Sequence, residues 1–118
     1  MLERQVILPL SVRGCLNEIA GYIIEFSTIE HAIRYVHELV AEINDLSYLA
    51  DSLPASTSPF VLQYHENAKR YNVKQGVWCV IFHIEGTFVI GDRLLPAKMV
   101  LYSISTLKNF VSLQEFKW

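Results

Sequence analysis

The sequence predicts a small α+β protein, an N-terminal hairpin of helices packed on one face of a small antiparallel β-sheet, and three observations carry that expectation. The first is the stretch over residues 76–95, GVWCVIFHIEGTFVIGDRLL, in which Val77, Cys79 and Ile81 alternate with Trp78, Val80, Phe82 and Ile84. A strand through it is apolar on both faces, as a central strand covered on both sides must be. The second is a helical period in which Ile29, Ile33, Val36, Val40, Ile43, Leu46 and Ala50 recur at three and four. The third is the order of segments: a short strand and two helical patterns come first, then a linker, then several strands, the arrangement from which a two-layer α+β sandwich is built.

Taken in order, residues 5–8 are short and β-branched, and Pro9 after them cannot donate to a ladder, so they predict an edge or terminal strand. Ser11 is placed to cap a helix, whose apolar positions Val12, Cys15, Leu16, Ile19, Ile23 and Phe26 form a one-sided stripe. Gly14 and Gly21 each cost about 1 kcal/mol against Ala inside a helix, so packing must hold it. Ser27, Thr28, Ile29 and Glu30 have the form of a capping box that starts the second helix, joined to the first by so short a link that the two lie antiparallel. That second helix is expected to be one rod over residues 28–51, about 35 Å long at roughly 1.5 Å per residue.

Glu30, Arg34 and Glu38 make i,i+4 pairs on its outer face. His31 and His37, six apart, fall on opposite faces and cannot share a metal through the helix. Residues 53–59, with two prolines and three small hydroxyl residues, form the linker. Residues 60–64 alternate weakly, as a strand or an irregular crossing. Residues 70–74 read as a strand leading through Gln75 and Gly76 into the central hairpin, whose turn falls at Glu85 and Gly86. In its second arm Phe88, Ile90 and Leu94 share one side, with Val89, Gly91, Arg93 and Leu95 on the other. Pro96 ends the ladder, residues 99–104 are extended or a final turn, and the tail from Leu107 suits a short helix ending in Phe116 and Trp118.

Composition bounds the function. A chain of 118 residues, 52% hydrophobic and 19% charged, suits a single domain over 1–118 with a real core. A formal charge of −2 and a pI near 6.0 give no global attraction to phosphate, so a nucleic-acid role needs a local basic patch. Cys15 and Cys79 sit on apolar patterns without metal-like neighbours and read as buried free thiols. No apolar run approaches the roughly 20 residues of a membrane span, and no leader pattern precedes the first strand, so a cytoplasmic setting without membrane partners is expected. Nothing in the spacing calls for a metal or cofactor.

The element order resembles that of the RelE/ParE family of bacterial type II toxins. The likeness is carried by Asn17-Glu18-Ile19-Ala20-Gly21-Tyr22-Ile23, similar to the family's first-helix pattern, and by the long second helix ending in a Pro-bearing loop. It extends to Arg70-Tyr71-Asn72-Val73, to Phe82-His83-Ile84-Glu85-Gly86, and to Val89, Ile90, Asp92, Arg93, Leu94 and Leu95 in the hairpin. The resemblance implies a toxin held in check by a cognate antitoxin and acting on one of two targets. RelE-like members cut mRNA on the ribosome with basic residues on the sheet and a late Tyr or His, whereas ParE-like members poison DNA gyrase. Homodimer formation stays open, as does a degenerate member that keeps only antitoxin binding.

Two positions depart from the family pattern. Where the family has an aromatic residue followed by Arg, this chain has Trp78 and Cys79, and a basic pair at the last strand is reduced to Lys98 in Pro96-Ala97-Lys98-Met99. The candidates for binding or cleaving RNA are Arg70, Lys74, Arg93 and Lys98, with Tyr102 in the place of the late catalytic aromatic. Arg70 and Lys74, four apart on a strand, are expected on one side. Equally, these are scattered solubilising charges. His83 reads as a core histidine ahead of a general base, and His65 as exposed.

Overall fold

The computed structural model describes residues 3–100. At its centre lies a four-stranded sheet in the spatial order β1 (Gln5–Ile7), β4 (Phe88–Pro96), β3 (Trp78–Glu85) and β2 (Lys69–Val73). As the apolar run predicts, β3 is an inner strand, and its residues 79–83 are all buried. It pairs antiparallel with β2 on one side and with β4 on the other, the turn into β4 passing through Gly86 at φ 61°. The sheet is not wholly antiparallel, however. β1 runs parallel to β4, Gln5 opposite Phe88 and Ile7 opposite Ile90, which makes it mixed. A parallel neighbour needs a long crossover, and the helices between β1 and the later strands supply one.

Helix α1 (Leu10–Phe26) begins two residues earlier than the Ser11 cap implies, with Pro9 at the N-cap. Ser11 Oγ instead donates to the Asp92 carbonyl. Helix α2 (Ile29–Asn44) is capped by Thr28, whose hydroxyl accepts from the His31 amide at 3.0 Å; Ser27 pairs with the His31 ring, so the Ser27–Glu30 box does not form. The expected rod over 28–51 is interrupted. The α2 ladder closes at Asn44, the Asp45 amide bonds to Glu42 and Ile43 carbonyls, and a new short helix α3 (Leu46–Leu49) follows, then a 3₁₀ turn (Ala50–Ser52). Asn and Asp compete with the backbone for hydrogen bonds, which favours a break there, while Leu46 and Ala50 still reach the core. Residues 60–64 are not a strand; Pro59 starts the four-residue helix α4 (Pro59–Leu62).

Two apolar clusters sandwich the sheet. The larger joins Val12, Leu16 and Ile19 of α1 and Leu39 and Ile43 of α2 to Val73, Val80, Phe82, Val89 and Leu94 of the strands. Phe82 is fully buried, a contribution of about 1.5–3 kcal/mol over an exposed ring. Gly91 lets α1 settle closely, since a Cβ there would lie 3.3 Å from Leu8 Cδ2 and 3.5 Å from Val12 Cγ2. The smaller cluster, Val61, Ala68, Cys79, Ile81 and Val100, covers part of the opposite face.

A bulge corrects the alternation expected for β4. Ile81 faces Arg93 but Phe82 faces Gly91, so Asp92 is the extra residue. Outward from it the phase reverses: Val89 and Gly91 join Leu94 in being buried, while Phe88 is exposed. Both cysteines are free thiols, Cys79 buried and Cys15 only half-buried. Residues 97–100 are helical. Tyr102 and the tail with Phe116 and Trp118 lie outside the described residues.

Candidate functional site

The sheet face opposite the helix hairpin carries Arg70, Arg93 and Lys98, three of the four basic residues that sequence reasoning singled out. Pairing places Arg70, Ile81 and Arg93 in one row across β2, β3 and β4, with Asn72, Cys79 and Leu95 in the next. Directly paired residues share a face, so the two arginines flank the buried Ile81. At the β2 end, Arg70, Asn72, Gly76, Val77, Pro96, Ala97 and Lys98 line an open depression of about 600 Å³. The Ala97 amide donates to the Val77 carbonyl at 2.9 Å and holds the segment carrying Lys98 against the β2–β3 turn. Arg70 and Lys98 are therefore brought to one hollow. Arg93 lies across β3 from Arg70 and outside the lining of the hollow, its guanidinium carbon 5.6 Å from the centre of the Tyr64 ring.

Lys74 does not join them. It stands beyond the end of β2 in a turn where Lys74, Gln75 and Gly76 have φ of 52°, 57° and 83°. That left-handed run swings its side chain to the helix layer. There Nζ donates to Glu38 Oε2 at 2.7 Å and sits 4.4 Å over the Tyr35 ring, while its amide donates to Glu42 Oε2 at 2.7 Å. The hydrogen bond to Glu38 raises the lysine above its ordinary value and lowers the carboxyl below its own.

Cys79, in the row beside Arg70, is fully enclosed, and burial pushes its thiol up although Arg70 pulls the other way. The protonated thiol is neither a phosphate ligand nor an activated nucleophile.

Sequence reasoning missed the most tightly organised polar group on this face. His83 is 7% exposed, and its Nδ1 donates to both Asp92 oxygens, at 2.8 and 3.0 Å. Its Nε2 lies 3.3 Å from Glu85 Oε2. The His65 ring, which is half-buried rather than exposed, stacks on it at 3.7 Å with the planes 1° apart. His65 Nδ1 accepts from the Asn67 amide at 3.0 Å, which fixes that ring from behind. The bulge is what turns the Asp92 carboxylate toward His83. Its trace in the sequence is the polar Gly91-Asp92-Arg93 interruption of an apolar strand. With Nδ1 given to Asp92 and one ring face to His65, His83 acts as a clamp between the sheet and the segment after α4 rather than as a group presented to a substrate. Among the described residues no three His, Cys, Asp or Glu side chains converge as metal ligands.

No protein-family model matches the sequence, and no curated protein matches it. Among solved structures the chain is similar to a chain of the chromosomal ParDE TA system from P. aeruginosa, with a TM-score of 0.66 and 13% identity over 81% of this chain and 98% of that one. At that identity the likeness defines the fold: α+β, with helices on a four-stranded mixed sheet, compatible with the RelE/ParE type.

Proposed function

We propose that the chain is the toxin of a type II toxin-antitoxin module, a ParE-like growth inhibitor that acts in the cytoplasm as a single domain on a protein target such as DNA gyrase and is held in check by a cognate antitoxin. The likeness in fold to the ParDE chain carries the toxin reading. A protein target is favoured over RNA by the sheet face itself. Metal-independent RNA cleavage needs a base for the 2′-hydroxyl, charge stabilisation for the phosphorane and an acid for the leaving oxygen. Arg70 and Lys98 around the depression supply charge only. Lys74 is bound to Glu38, and Cys79 stands where family members carry Arg. His83 is enclosed.

The hollow shared by Arg70 and Lys98 is the observation that favours a second reading, a RelE-like mRNA endonuclease on the ribosome using Arg70, Arg93, Lys98 and Tyr102. The test is expression of the chain alone, with and without the small protein encoded beside it. Growth arrest relieved by that neighbour, with purified chain inhibiting gyrase supercoiling and leaving mRNA intact, is the expected result. Codon-spaced cuts in primer extension would move the function to the endonuclease. No growth effect at all would mean a degenerate member that retains only the fold and antitoxin binding.

A further inference from the structure

The helix hairpin is longer than the sheet it covers. Along α1 the stripe Val12, Leu16, Ile19, Ile23, Phe26 passes from buried through half-buried to exposed, and along α2 the stripe Ile43, Leu39, Val36, Ile33, Ile29 does the same toward the link. In a hairpin closed at Ser27 and Thr28, residues equally distant from the link stand level, so Phe26 is level with Ile29 and Tyr22 with Ile33. From residue 21 to residue 31 only Ile23 is half-buried, and every other side chain is exposed. The tip therefore carries the core-facing pattern of the hairpin into solvent. Tyr22, Phe26, Ile29 and Ile33 are 66%, 68%, 58% and 58% exposed, and the Tyr22 and Phe26 rings pack on each other at 4.8 Å.

We infer that this tip is a self-association surface, and that two copies of the chain pack their hairpins antiparallel across a two-fold axis near Ala32. Two features select a second copy as the occupant. One is charge. Glu30 and Arg34 flank Ile33 on the exposed side of α2, and an acid followed four residues later by a base is its own complement when read in the opposite direction. An antiparallel α2 pair sets Glu30 of one copy beside Arg34 of the other, twice, about the axis. The other is area. With about 200 Å² for each large side chain, the four apolar residues offer about 450–500 Å² per copy. Two copies then bury about 1,000 Å² of apolar surface before the charged rim is added, which brings the contact into the range of a specific, modest-affinity interface. The surface lies on the helix layer, away from the Arg70–Lys98 hollow on the opposite sheet face, so the inference stands independently of the toxin reading.

The experiment is sedimentation of the purified full chain over about a hundredfold range of concentration reaching the high micromolar. The weight-average mass is expected to climb from 13.6 kDa toward twice that value. Ile33→Asp, at an exposed position that leaves the fold intact, should weaken association about 30-fold or more. Glu30→Arg and Arg34→Glu should each weaken it at low salt, and the double swap Glu30→Arg/Arg34→Glu should restore it, because the reversed pair is again self-complementary. Thermal melts by circular dichroism check that each variant is folded. A chain monomeric throughout the range overturns the inference, and so does a dimer that ignores both Ile33→Asp and the charge swaps.

Discussion

Replacing Gln75 by glycine should make the protein more stable, although Gln75 belongs to neither apolar cluster. The reason is the β2–β3 turn, where Lys74 and Gln75 are the two non-glycine residues of positive φ among the described residues. The left-handed conformation costs an L-residue roughly 1–2 kcal/mol. Glycine removes that cost but adds roughly 0.4–1 kcal/mol of unfolded-chain entropy. The net gain at Gln75 is about 0.5–1 kcal/mol, or about 2–5 °C in Tm for a chain of this size. Lys74 has the same backbone strain but a different environment. Lys74→Gly relieves φ yet discards the Nζ bond to Glu38 and the stacking on Tyr35, keeping only the amide bond to Glu42. Its gain should therefore be smaller than that of Gln75→Gly, or negative. Gln75→Val, β-branched at a positive φ, should lower Tm. Calorimetry or urea unfolding of the three variants reads the order directly. A fall in stability for Gln75→Gly, or equal gains at both positions, would refute the view that tertiary contacts to α2 hold this turn.

Other consequences can be measured on the same protein. Phe82→Ala, at the centre of the larger cluster, should destabilise by about 3–5 kcal/mol and leave little folded protein in a urea titration. Asp92→Ala removes the acceptor of the buried His83 Nδ1 and should cost about 1–3 kcal/mol, with faster amide exchange in the segment from α4 to β2. Glu38 and Asp51 are held below their ordinary 4.5 and 3.8, chiefly by hydrogen bonds from Lys74 and Arg4. Their contribution is thus present above those ordinary values and is lost as pH falls through the lowered ones, so urea midpoints should drop on acidification below about pH 4. Glu38→Gln and Asp51→Asn should shrink that drop. Cys79 should resist a thiol reagent until the chain unfolds, whereas the half-buried Cys15, whose thiol is also raised by burial, should react slowly in the native state.

What could be seen from residues alone was whatever local pattern decides. The two-sided apolar run of β3 required an inner strand, and the stripe from Ile29 to Ile43 required a helix against the sheet. Gly86 marked the hairpin turn. What escaped depends on contacts between distant residues. A three-residue strand does not announce which neighbour it joins, so β1 was placed at an edge without its parallel direction. The break at Asp45 is a competition between a good apolar period and two polar residues that satisfy the backbone differently, and the period alone overstates the rod. The bulge at Asp92 shifts phase by one residue, which simple alternation cannot register. Of the basic candidates, Arg70 and Lys98 meet although β3 separates their strands, because the Ala97–Val77 bond draws the segment after β4 to the β2–β3 turn, while Lys74 departs because its turn is left-handed. The His65–His83 stack joins residues 18 apart through the bulge and the fold of the α4 segment, and no spacing rule reaches it.

The parallel strand at the border has a bearing on how the molecule is made. Gln5 must find Phe88, and Arg4 must reach Ser47 and Asp51 as well as the carbonyl of Gly86, so the β1 segment is held partly by the region around α3 and partly by the last hairpin. Until β4 is in place, that segment has contacts to the helix layer but no strand to join. Joining β1 to β4 closes a long loop at an entropic cost, and without β1 the outer rim of β4 from Phe88 to Ile90 is open to any extended chain nearby.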